Sequence, residues 1–95
     1  MSIKYKHNEA ALLREMMEYI NGTYNEHYAG EGDVQAADLI EAAGHGISFY
    51  LGNVIKYSAR YGKKAGYNRK DIIKIIHYAF LALHEHDKEH HGETE

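Results

Sequence analysis

The stretch Phe49-Tyr50-Leu51-Gly52-Asn53-Val54-Ile55-Lys56-Tyr57-Ser58-Ala59-Arg60, running on into Tyr61-Gly62-Lys63-Lys64-Ala65-Gly66-Tyr67, decides how the chain is read. Its apolar residues return at intervals of three and four, the period of an α-helix, without the strict alternation of a half-buried strand. A helix from about Ser48 to Tyr61 follows, with two unlike faces. Leu51, Val54, Ile55 and Ser58 are expected to look inward, while Asn53, Lys56, Tyr57 and Arg60 gather on another face at i, i+3, i+4 and i+7. Gly62 and Gly66 then break the pattern.

Outward from this stretch the same punctuation recurs in a chain that has no proline. Asn8 can cap a first helix with Glu9 near its start and a stripe of Leu12, Leu13, Met16, Met17 and Ile20, expected to end near Asn21-Gly22. Glu26 to Gly32 reads as a loop, and Asp33 can cap a short helix through Ala43 that Gly44-His45-Gly46 closes. Asn68 can cap a last helix from Arg69 to about His90, with a core stripe of Ile72, Ile75, Ile76, Ala79, Phe80 and Leu83. The expected fold is all-α: one domain over residues 1–95, a compact bundle of about four helices, with a charged, histidine-rich end over 84–95. At about 1.5 Å per residue the last helix is on the order of 30 Å long. It offers more apolar length than so small a chain can cover, which makes a homo-oligomer the expected state.

Composition bounds the function. Ninety-five residues, 44% of them hydrophobic, suffice for one modest core. No cysteine is present to form a disulfide or a thiolate zinc site, in keeping with a reducing cytoplasm. No apolar run approaches the roughly 20 residues that cross a bilayer, and Met1 to His7 lacks the apolar core of a secretion signal, so no membrane role is expected. The net charge of −3 hides a strong division. Residues 1–55 carry three basic and eight acidic side chains, residues 56–74 seven basic and one acidic, and residues 75–95 one basic and five acidic. Positive charge confined to one fifth of an acidic chain favours a local anion site over a long nucleic acid.

Lys56, Arg60, Lys63 and Lys64 place four cations at the end of one helix and in the loop before the next helix start, a setting that suits phosphate. Tyr57, Tyr61 and Tyr67 interleave with them and offer rings on which a base can stack. The Gly-x-x-x-x-Gly-Lys-Ser/Thr loop is absent, since Gly62-Lys63-Lys64-Ala65-Gly66 has neither its spacing nor its hydroxyl. A dinucleotide Gly-x-Gly-x-x-Gly is absent too. His86 and His90 stand four apart and can meet at one metal, although a solvated tail explains them more simply. His27-Tyr28 in the glycine-rich loop can reach a ligand, and Asp38 with Glu41 can orient a basic group or magnesium.

His27-Tyr28, Asp38-Leu39-Ile40-Glu41-Ala42, Phe49-x-Leu51-Gly52-Asn53-Val54-Ile55-Lys56-Tyr57 with Arg60 and Lys63, and then Asp71, Lys74 and Tyr78 resemble the SaV-like family of small bacteriophage proteins over residues 26–83. Ile75-Ile76 departs from that family's commoner Lys-Ala step. The family includes a nucleotide kinase that phosphorylates deoxynucleoside monophosphates without a P-loop. The resemblance therefore implies a nucleotide ligand, magnesium with ATP as cofactors, the cytoplasm of an infected bacterium, and Asn53, Lys56, Tyr57 and Arg60 as the ligand-facing group, with Asp71 and Lys74 accessory. Two other readings stand beside it: a protein that sequesters a host signalling nucleotide without chemistry, and an oligomeric protein that grips a host partner.

Overall fold

The computed structural model describes residues 2–27 and 35–90. Every regular element among them is a helix: α1 (Glu9–His27), α2 (Ala36–Ala42), α3 (Gly46–Arg60) and α4 (Arg69–Glu89). The all-α expectation holds, and no described helix is long and apolar enough to cross a membrane. The chain divides into one unit up to Asp33, which contains α1, and a second from Val34 onward, which contains α2, α3 and α4.

Asn8, at a φ of 62°, turns the chain into α1 through the left-handed region that asparagine tolerates. Its carbonyl accepts the Leu12 N–H at 3.0 Å, and the Glu9 carboxylate accepts the His7 N–H at 2.9 Å. The helix does not stop at Asn21-Gly22 as the sequence led us to expect but continues to His27. One interior glycine costs about 1 kcal/mol relative to alanine, too little to end a helix whose flanking residues sustain it. Met16 is its buried side chain, while Leu12, Leu13 and Met17 are exposed.

In the second unit α2 starts after Gln35; Asp33, the expected cap, lies outside the described residues. The Asp38 carboxylate accepts the Gln35 N–H at 2.9 Å, one half of a capping box. α3 begins two residues earlier than expected, at Gly46. A Cβ there would lie 2.6 Å from Glu85 Oε1 and 3.1 Å from Glu41 Cγ, so the missing side chain lets α2 and α4 close around the start of α3. Asn68 caps α4 as expected, its side-chain oxygen accepting the Lys70 N–H at 3.0 Å.

The faces of α3 and α4 differ from the sequence expectation, which only the half-buried Val54 and Ile75 meet in part. Gly46, Tyr50 and Tyr57 are buried along α3 and Asp71, Ala82 and Glu85 along α4, with Arg60, Lys74 and Tyr78 half-buried. Leu51, Ile55 and Ser58 are exposed, as are Ile72, Ile76, Ala79, Phe80 and Leu83. The reason is partnership. Tyr50 donates its hydroxyl proton to Glu41, Lys88 reaches Glu85 at 3.0 Å and Glu41 at 3.7 Å, and the rings of Tyr50 and Tyr57 lie against Tyr78. Buried polar groups that find one another remain buried at little cost, and an aromatic ring buries more surface than a leucine.

Tyr50, only 2% exposed, is the keystone of the α2–α3 contact. Tyr50→Phe keeps the ring and strips Glu41 of its donor, so it should cost about 1–2 kcal/mol in denaturant unfolding with helicity unchanged.

Candidate functional site

The last turns of α3 and the first turns of α4 meet at Tyr57. Its ring, 8% exposed, lies nearly parallel to that of Tyr78, with centroids 5.9 Å apart and planes 12° from each other. Three cations gather about it: Lys56 Nζ at 5.3 Å from the centroid, Arg60 Cζ at 5.6 Å and Lys74 Nζ at 5.0 Å. Lys56 and Arg60 arrive from α3 at the positions before Tyr57 and one turn after it, and Lys74 arrives from α4. Each cation gains about 0.5–1 kcal/mol from the electron-rich ring, which offsets part of the repulsion among like charges.

Asp71 supplies a carboxylate to this cluster. It is 2% exposed, and its Oδ1 lies 3.6 Å from Arg60 Nε. That separation gives charge attraction but exceeds a hydrogen bond. Arg60 Nε and Asp71 Oδ2 are both buried without a hydrogen-bond partner, so the pair is under-satisfied at its centre.

The connection between α3 and α4 is tightly built. Gly62, at a φ of 83°, donates its N–H to the Gly66 carbonyl at 2.9 Å, and the Tyr67 ring folds onto it so closely that a Cβ would come within 2.7 Å. Tyr61 and Tyr67 meet edge to face at 5.4 Å, with both rings open to solvent. The Lys63 and Lys64 N–H groups donate to the Arg60 carbonyl at 2.9 and 3.1 Å, closing α3. Those backbone donors are thus engaged, and the two lysines offer a ligand only their exposed side chains.

Of the residues singled out from the sequence, Lys56, Tyr57, Arg60, Asp71 and Lys74 come together. Asn53 turns its amide onto its own helix and donates to the Phe49 carbonyl at 2.9 Å. Asp38 caps α2, and Glu41 belongs with Tyr50 and Lys88 at the opposite end of α3. His27 ends α1 in the other unit, and Tyr28 lies outside the described residues. The His86 and His90 rings are 4.6 Å apart, and among the described residues no group of three His, Cys, Asp or Glu is placed to hold a metal ion. Burial lowers the pKa of His77, which sits beside Tyr78, and the hydrogen bond to Glu85 raises that of Lys88. The sequence reading missed Tyr78 as a ring partner and Glu85 as a buried acid. Their signal is a seven-residue interval, Asp71, Tyr78, Glu85, which keeps one side of α4 polar and turned toward α3.

A family model described as a protein of unknown function (DUF3310) matches residues 22–80, which include α2, α3 and the first half of α4. Neither a curated protein nor a solved structure matches the chain.

Removing the Asp71 carboxylate leaves Arg60 facing Lys56 and Lys74 without its counter-charge. Asp71→Ala should therefore lower stability by about 1–3 kcal/mol, measured by urea unfolding, and added salt should recover part of the loss by screening the cations.

Proposed function

We propose that this chain, which belongs to the DUF3310 family, binds a nucleotide through its phosphate at the junction of α3 and α4. The observation that carries this reading is the convergence of Lys56, Arg60 and Lys74 on the Tyr57 ring with the buried Asp71 as their carboxylate. Three cations held this close repel one another, and a phosphate dianion relieves that repulsion. Lys63 and Lys64 add long-range attraction from the neighbouring loop. Tyr57 is occupied by Tyr78, so the base belongs against the exposed Tyr61–Tyr67 pair, whose edge-to-face geometry leaves ring surface open. Stacking there is worth about 1–3 kcal/mol per base.

Two chemistries fit the same ligand. In a kinase-like reading, supported by the resemblance to the SaV-like phage proteins, Lys56, Arg60 and Lys74 neutralise a phosphoryl group passing from ATP, with magnesium, to a deoxynucleoside monophosphate. In a sequestering reading the protein holds a host nucleotide and does nothing further; the burial of Asp71 against Arg60, which keeps that carboxylate from a metal-bound phosphate, favours it. Both place the protein in the cytoplasm of an infected bacterium, working as a homo-oligomer.

Calorimetric titration of the full chain with deoxynucleoside monophosphates and triphosphates tests the site. Lys56→Ala and Lys74→Ala should each weaken binding roughly 10-fold to 100-fold, the worth of a charge-assisted bond to phosphate, while His86→Ala with His90→Ala should leave it unchanged. Binding that survives both lysine changes in a folded protein would refute the placement. Incubating the parent protein with ATP, magnesium and each monophosphate then separates the two chemistries by whether the deoxynucleoside diphosphate forms along with ADP.

A further inference from the structure

The side of α4 turned away from α3 carries Ile72, Ile76, Ala79, Phe80 and Leu83 at i, i+4, i+7, i+8 and i+11, a continuous apolar stripe. Ile72 is 43% exposed, Ile76 38%, Phe80 44% and Leu83 58%. A stripe of this length left open to water marks an interaction surface rather than scattered surface apolar residues. The charges at its two ends say what fits it. Asp71, Lys74, Glu85 and Lys88 are engaged toward α3 and α2, which leaves α4 opening with the exposed Arg69 and Lys70 and closing with the exposed Asp87 and Glu89. The helix is thus complementary to itself when reversed. Two copies side by side in the same direction would set basic end on basic end and acidic on acidic, whereas antiparallel copies set each basic end against an acidic one and oppose their helix dipoles.

We propose that this outward face of α4 is the interface of a two-fold dimer of the chain, in which two α4 helices pack antiparallel. The apolar pattern supplies the register. With Ile72 opposite Leu83 of the second copy, Ile76 falls beside Ala79 of the second copy at the centre, where the small side chain lets the helices approach to the usual 8–10 Å. Arg69 then stands opposite the His86–Asp87 end of the second copy. The interface is isologous, as a two-fold axis requires. This assignment rests on the homo-oligomer part of the proposed function and is independent of any nucleotide.

The chain has no cysteine, so introduced thiols report the pairing without interference. An equimolar mixture of isotope-labelled Ile72→Cys and unlabelled Leu83→Cys, oxidised and weighed without reduction, should give almost entirely the mixed disulfide; homodisulfides from either variant would overturn the antiparallel register. In sedimentation at micromolar concentration the parent chain should show twice its monomer mass, and Ile76→Asp should return it to monomer with helicity and the tyrosine near-ultraviolet signal retained. A parent that is only monomeric would overturn both the dimer and the homo-oligomer reading, as when the stripe is covered within one chain. A dimer that survives Ile76→Asp would overturn the interface alone. Nucleotide titration of the same samples reads the ligand site separately.

Discussion

A tyrosine ring that must serve a second tyrosine and three cations at once constrains α3 and α4 more than any apolar contact in their unit. Tyr57 stacks against Tyr78 while Lys56, Arg60 and Lys74 gather around it, and the Asp71 carboxylate lies 3.6 Å from Arg60 Nε. These groups tolerate one another only in one register. Sliding α4 by a turn would take Asp71 from Arg60 and Glu85 from the small space beside Gly46. The seven-residue intervals Gly46, Asn53, Arg60 on α3 and Asp71, Tyr78, Glu85 on α4 express that register in the sequence.

The same constraint divides the labour between the faces of the helices. Because the polar and aromatic residues pair inward, Ile72, Ile76 and Phe80 of α4 are turned outward, and a surface that looked like core is left exposed. At one end of the seam, Glu41, Tyr50, Glu85 and Lys88 satisfy one another. At the other, Arg60 and Asp71 form an ion pair, but Arg60 Nε and Asp71 Oδ2 lack a hydrogen-bond partner beside surplus positive charge. The contrast between a completed polar cluster and an incomplete one supports the proposed placement of a ligand at the α3–α4 junction.

The helices and most of their ends were legible from residue type alone. Asn68 caps α4 because its side chain reaches the Lys70 N–H, and the glycines around residues 44–46 and 62–66 mark the turns on either side of α3. Asn21-Gly22 misled because a single glycine signals a turn only where its neighbours do not sustain the helix. The clustering of Lys56, Tyr57 and Arg60 was legible from their spacing, since i, i+1 and i+4 share one side of a helix whatever it packs against. Which side packs was not legible. Leu51 and Ile55 read as core by hydrophobicity, but the partners of Tyr50, Tyr57 and Arg60 come from residues 41, 71 and 78, on two other helices, and no local pattern on α3 reveals them. Glu85 was hidden for the same reason: a carboxylate in a charged segment reads as solvated until Gly46 and Lys88 are seen beside it.

The claim that the α3–α4 junction is the ligand site is tested most directly by a backbone amide NMR titration of the full chain with a deoxynucleoside monophosphate. The amides of residues 56–64 and 70–74 should shift together and saturate with a single dissociation constant, and inorganic phosphate should shift the subset nearest Arg60 and Lys74. Shifts confined to α1, or to the histidine-rich end of α4, would contradict the account.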